Sequence, residues 1–456
     1  MQKRLRPVAL AVPTLLTALL LAACGSPTTP AADQATATPA TSSAVEAAPG
    51  AAAAELQEVS AITPRVVISH EGGLTVLDTA TGETISRTDR SGLLRLSPSG
   101  DGRHVLVADG DRFLAFDAAL KSRPHGDHAH HYSGQPELGD LTYDSPAAGH
   151  VVVNDGLTAL FSDGEGSVRI IPTDQVAGGY RAADGVVVES GAPHHGVAVP
   201  FADGSVLITV GDDKKRDTIQ HRAADGTVLA ETTDCPKIHG EATGADGTAA
   251  FGCVGGPVVF DGKEFHKVPL PAGVEFQKSG TLVGHPDSPV FLSDHKTDEQ
   301  ADKDGKRERP TRISLIDSRT NTMQAVELDS AYSFRTLARG PHGEALVLTG
   351  DGALKVIDPE SGEITADIPA ISEWRENDNW QEPGPILQVV GHTAYVTDPA
   401  KKELVLIDLL SGEVKERFSL DVTPFEIAVV DGIAAVDAAA ADHDHGDHGD
   451  HEGHDH

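Results

Sequence analysis

Histidine is the residue through which this chain could do chemistry. Of its 22 histidines, four fall between His125 and His131 and six between His443 and His456, a bunching for which core packing gives no reason. A third group is ordered by spacing: His150, His195 and His239 stand 45 and 44 residues apart, heading the similar runs HVVVNDG, HGVAVPFADG and HGEATGADG. A neutral imidazole is a borderline-soft nitrogen ligand, and three with a fourth position open match the tetrahedral preference of Zn(II). Water, a carboxylate or a residue of the 125–131 segment would complete the set. A lone histidine beside a glycine turn more often satisfies backbone groups, the role expected of His104, His285, His342 and His392. Recurrence at one repeat position sets His150, His195 and His239 apart from these.

A second, weaker centre is expected at His125, Asp127, His128 and His130. Alternation along a strand would put His128 and His130 on one face, and a neighbouring carboxylate can orient a ligating ring. The tail HDHGDHGDHEGHDH carries His443, His445, His448, His451, His454 and His456 among acidic residues and glycines only. With nothing apolar to bury, it is expected to be disordered and to collect cations at high local concentration. Such tracts also take nickel and cupric ions. Cuprous handling is disfavoured, because after Met1 the only thioether is Met323.

The elements that must position these residues are short strands. The runs LTVLDTATGETISR from Leu74, LKVIDPESGEITAD from Leu354 and LVLIDLLSGEVKER from Leu404 are each two strands around a tight glycine turn. Repeats of about 40–50 residues with four strands are the units of a β-propeller. The expected fold is all-β, an eight-bladed propeller with innermost strands starting near Leu93, His150, His195, His239, Ser279, Phe334, Ile386 and Phe425. The C-terminal strand should complete the N-terminal blade and leave no free edge at the seam. Seven blades is the alternative, because the 279–329 stretch contains the charged insertion KTDEQADKDGKRERP, read here as a solvated loop. In a propeller, equivalent inner-strand starts face one another around the channel, which would bring the three spaced histidines together.

The 456 residues carry a formal charge of −33, which repels a phosphate backbone and excludes nucleic acid as a partner. Lys3, Arg4 and Arg6, then an apolar run over 8–21, then Leu21-Ala22-Ala23-Cys24, have the layout of a secretory signal ending in a lipobox. Cys24 would carry the lipid, anchoring the protein to the cell membrane outside the cytoplasm, at a bacterial surface or in a periplasm. Of the 30 residues 25–54, 24 are Ala, Pro, Ser or Thr, a composition that cannot bury a core. The expected organisation is signal peptide 1–23, lipidated tether 24–60, propeller 61–437 and metal-collecting tail 438–456, in a monomer. In an oxidising compartment, Cys235 and Cys253 are most simply a disulfide bracketing His239; zinc thiolates are the competing reading.

The HGDH segment from His125, the HGVAVPFADG strand from His195, and the run from Cys235 through His239-Gly240-Glu241-Ala242 to Phe251-Gly252-Cys253 resemble the extracytoplasmic zinc metallochaperone family AztD. The likeness covers most of the repeat region. It implies an eight-bladed propeller that binds Zn(II) and hands it to the solute-binding protein of a zinc ABC importer, with no reaction beyond ligand exchange. The lipobox, the long tether and the His-rich tail depart from that pattern. Two other classes compete. A propeller enzyme of the lactonase kind needs a carboxylate-rich calcium cluster, and a quinone-dependent one needs several stacking tryptophans where only Trp374 and Trp380 exist. A protein-binding scaffold would hold metal only incidentally.

Overall fold

The computed structural model describes residues 55–126, 128–177 and 185–435. Asp127, Cys24, the 1–54 leader and tether and the 436–456 tail therefore lie outside the described residues. Those described fold almost wholly into β-strands, arranged as eight four-stranded antiparallel sheets and one three-stranded sheet. In chain order we number the larger sheets 1 (residues 65–89, with 426–430), 2 (95–144), 3 (148–189), 4 (198–232), 5 (241–267), 6 (282–327), 7 (337–369) and 8 (387–419). The 279–329 stretch, which left seven repeats open as an alternative, supplies all four strands of sheet 6. No helix among the described residues is long and apolar enough to cross a membrane.

The central strands are apolar in unbroken runs because both of their faces are covered. In Arg65–His70, Val66 and Ile68 pack with Tyr395, Leu404 and Leu406 of sheet 8. Val67 points the other way, into a cluster with Val105, Val107 and Leu114 of sheet 2. The same exchange joins sheets 2 and 3, sheets 3, 4 and 5, sheets 5 and 6, sheets 6 and 7, and sheets 7 and 8. The last strand, Glu426–Val430, is fully buried and pairs with Arg65–His70 from Ser69↔Glu426 to Arg65↔Val430. Through it the chain's end becomes the first strand of sheet 1.

The first strands of the sheets lie side by side. Glu426–Val430 touches those of sheets 2 and 8, Leu337–Arg339 those of sheets 6 and 8, and Ala148–Asn154 that of sheet 4. Their starts follow the sequence pattern within a few residues. His150 lies inside Ala148–Asn154, but His195 and His239 stand just ahead of Ala198–Pro200 and Glu241–Thr243 rather than opening them.

Three expectations need correction. The charged insertion is not merely a solvated loop. It forms a short helix, α1 (Glu299–Asp304), capped by the Asp298 side chain accepting from the Ala301 N–H, and its Asp302 bridges Lys237 and Lys278 at 2.7 and 2.6 Å. Residues Gln57–Val59, inside the span expected for the tether, form a strand, because the exposed hairpin Leu120–His125/His128–Ser133 offers an edge that they pair with. His104 does not serve backbone groups through its ring. The imidazole sits between Asp101, bonded to its Nδ1, and Asp117, 3.7 Å from its Nε2, while Arg103 Nε donates to Asp117 at 2.7 Å.

Burial alone would lower the His104 pKa, but hydrogen bonds and charge from Asp101 and Asp117 outweigh it and raise the value to about 9. A folded-state value above the unfolded one of about 6.5 stabilises the fold fully below that pH and loses the contribution as pH climbs through the folded value. His104→Gln should therefore cost up to about 3 kcal/mol at pH 6. The difference from wild type should shrink steadily between about pH 6.5 and 9. Urea unfolding of both proteins across that range checks it; a difference that does not change with pH would mean the ring is not charged in the fold.

Candidate metal centre

His150, His195 and His239 come together from sheets 3, 4 and 5. Their ring centroids are 4.9 Å apart for His150–His195, 5.3 Å for His195–His239 and 6.5 Å for His150–His239. They share a cleft of about 800 Å³ with Glu241, facing a wall that includes Lys278, Asp302 and Trp380.

Each ring turns its Nδ1 toward an oxygen from elsewhere in the fold, and for two of them the contact is a hydrogen bond. His195 Nδ1 lies 2.6 Å from Oδ2 of Asp163, in the turn after strand Leu157–Ser162 of sheet 3. His239 Nδ1 lies 2.7 Å from the Gly280 carbonyl oxygen. His150 Nδ1 faces Glu241 Oε2 at 3.3 Å, close but misaligned for a hydrogen bond, so that this solvent-excluded oxygen has no hydrogen-bond partner. The other nitrogens are thereby left to meet, and Nε2 of His150 and Nε2 of His195 are 3.2 Å apart. Without metal, one of these nitrogens must carry the proton of an N–H···N bond; a metal ion between them would take that proton's place.

The supports are themselves held. Asp294 Oδ1 accepts from the Gly280 and Thr281 N–H groups at 2.6 and 3.1 Å, and its Oδ2 pairs with Lys296 at 2.6 Å, which sets the carbonyl that His239 uses. Cys235 and Cys253 form a disulfide across the loop carrying His239, a closure worth about 3 kcal/mol in the chain-entropy account. The thiolate alternative is thereby removed. Gly240 follows at φ +79°, and a Cβ there would sit 2.5 Å from the Gly280 oxygen, so that only glycine lets the two loops close on the ring.

The electrostatics differ around the three rings. Burial, with the neighbouring His195, His150 and Lys296, lowers the His239 pKa to about 4 against the opposing pull of the Gly280 carbonyl. Burial would also lower that of His150, but the Glu241 carboxylate reverses the direction and raises it. Glu241 and Asp163 were not singled out from sequence. Each neighbours a glycine, in His239-Gly240-Glu241 and Asp163-Gly164, but nothing local indicates which ring it would face. His194, beside His195, is a buried structural residue whose nitrogens meet the Ala192 oxygen and Thr209 Oγ1.

His125, His128 and His130 form a second group, with ligand nitrogens all within 4.8 Å of one another. Among the described residues no other three metal-ligating side chains are this close; in the cleft group His239 stands farther off and would have to close in. The hairpin, exposed at His125 and His128, brings the three together, with His125 paired opposite His128 and His130 two residues along the same strand. His130 Nδ1 is 2.6 Å from Oε1 of Glu58, on the strand Gln57–Val59. Of the four histidines expected to satisfy backbone groups, His285 does, its Nδ1 accepting from the Asp287 N–H. The rings of His342 and His392 instead lie near each other.

No protein-family model matches the chain. The zinc chaperone AztD of Citrobacter koseri is 28% identical over 379 residues, covering 81% of this chain and 86% of that protein. The crystal structure of the same protein superposes with a TM-score of 0.69 at 25% identity, covering 80% of this chain and 97% of that one. Its apo structure gives 0.68 at 24%. A dihydro-heme d1 dehydrogenase, NirN, reaches 0.50 at 15% identity, a likeness of fold alone. In sequence and in fold the chain is similar to the zinc chaperone AztD, as the residues around His125, His195 and His239 led us to expect.

Proposed function

We propose that this protein is an extracytoplasmic zinc metallochaperone that captures Zn(II) at His150, His195 and His239 and passes it by ligand exchange to the solute-binding protein of a zinc ABC importer. The carrying observation is the Nδ1 anchoring of His195 and His239, with Glu241 facing Nδ1 of His150, which leaves the Nε2 atoms for metal. Two nitrogens on one tetrahedral zinc at about 2.0–2.1 Å lie about 3.3 Å apart, and Nε2 of His150 and Nε2 of His195 stand at 3.2 Å. The fourth position is open to water or to an incoming donor. Asp163 and the Gly280 carbonyl keep the rings in the ligating tautomer.

The eight sheets are the blades of a propeller closed by Glu426–Val430, a reading supported by that strand's pairing and by the succession of clusters returning from sheet 8 to sheet 1. His125, His128 and His130, with Glu58 behind His130, form a more exposed, faster-exchanging site, to which Asp127, next to His128 in sequence, is assigned as well. The tail histidines from His443 to His456 gather zinc for both. Cys24 anchors the chain at the membrane, and the Cys235–Cys253 disulfide suits an oxidising compartment. We keep the four segments as the sequence divides them, except that the strand Gln57–Val59 belongs with the folded hairpin rather than the tether.

A carrier with a tight site cannot wait for free dissociation, because tightness is mostly a slow off-rate. An incoming imidazole or carboxylate that joins the ion before the departing histidines let go removes that wait. His239, the ring set farthest from the other two, is the first to be replaced.

Replacing His150, His195 or His239 by alanine should each weaken zinc binding tenfold or more with an unchanged circular dichroism spectrum; competition against a chelator measures it. Asp163→Asn should cost between about 10-fold and 100-fold, since it disturbs the partner of a ligand rather than the ligand. Full affinity in all three alanine variants removes the site. Transfer is tested by mixing zinc-loaded protein with apo solute-binding protein in stopped flow. The expected rate rises with recipient concentration; a rate equal to free dissociation at every concentration leaves a zinc buffer rather than a donor.

A further inference from the structure

We propose that His342 and His392 form a separate, weak binding site for a divalent transition-metal ion, at the opposite end of the first strands from the cleft. His342 lies in the turn between the first two strands of sheet 7, Leu337–Arg339 and Ala345–Leu348. His392 lies in the corresponding turn of sheet 8, between Leu387–Val390 and Thr393–Asp398. The cleft histidines sit at or before the beginnings of their first strands, whereas these two follow the ends of theirs. One structural repeat therefore presents imidazoles at both of its ends, in different sheets.

The two rings are 5.6 Å apart between centroids, inside the 4.9–6.5 Å range spanned by the cleft histidines. Both residues are exposed, and among the described residues neither ring takes part in a hydrogen bond or ion pair. Their planes are inclined at 45°. Oε2 of Glu344 accepts the His342 backbone N–H at 3.0 Å and places negative charge beside the pair. Gly343, at φ +85°, turns the chain there, and His285 of sheet 6 borders it, with Nδ1 3.8 Å from where a Cβ on Gly343 would stand. Two neutral imidazoles with remaining positions taken by water suit zinc, nickel or cupric ion and not a hard cation. With two protein ligands and no buried support, this site fills after the cleft and exchanges quickly.

The test is footprinting of the full-length chain with diethyl pyrocarbonate, which modifies free imidazole nitrogen, read peptide by peptide by mass spectrometry over a zinc titration. His342 and His392 should become protected together, by fivefold or more, at zinc concentrations above those that protect His150 and His195. His392→Ala should abolish the protection of His342, and half-buried His266, hydrogen-bonded to Asp261, should serve as the unprotected reference. Modification of His342 that is indifferent to zinc, or protection that survives in His392→Ala, overturns the site. Because protection is scored at each histidine, failure here is distinguishable from failure of zinc binding in the cleft.

Discussion

A sheet covered on both faces has no polar side to turn toward water, so each of the eight sheets needs a neighbour before and after it. Seven of these junctions follow from chain order, since consecutive sheets come one after another along the chain. The eighth, between sheets 8 and 1, needs a strand from the far end of the chain, and Glu426–Val430 supplies it at a sequence distance of more than 350 residues. Its alternate residues serve two clusters, Ile427 and Val429 toward sheet 8, Ala428 and Val430 toward sheet 2. Glu426, buried, adds polar ties by accepting the Leu96 N–H and pairing with Arg335. Without that strand, Arg65–His70 would present a bare apolar edge, the feature that sheet proteins otherwise have to protect.

The cleft inherits its precision from the same packing. Each of its histidines is held by a group from another sheet or the loop leading into one: His195 by Asp163 of sheet 3, His150 by Glu241 of sheet 5, and His239 by the carbonyl just ahead of sheet 6. No ring is oriented by its own strand alone. Spacing between sheets therefore sets the spacing between nitrogens, and a packing change that moves two sheets apart would be felt as a change in metal affinity. The disulfide and Gly240 matter for the same reason, since His239 sits in a loop and lacks the strand backbone that steadies His150. The His125 hairpin is built on the other logic. Its ligands are neighbours in sequence and along one strand pair, so the group is compact but exposed.

What the sequence determined by itself was chiefly what recurs along the chain. The repeat is written in glycine turns and alternating apolar runs, so strand positions and the four-stranded unit are legible, as is the equivalence of His150, His195 and His239, because periodicity carries that information without coordinates. The hairpin histidines are legible because a strand's two-residue period puts His128 and His130 together wherever the strand lies. Tertiary structure alone decided which groups stand behind the rings. Asp163 and Glu241 look like any turn aspartate or strand-start glutamate, and their pairing with His195 and His150 exists only across sheets. The same holds for Asp302 of α1, read as part of a solvated loop and found bridging Lys237 and Lys278. It holds equally for His342 and His392, 50 residues apart in sequence and 5.6 Å apart in space. A single chain records its own periods; it does not record which periods face each other once the sheets have packed.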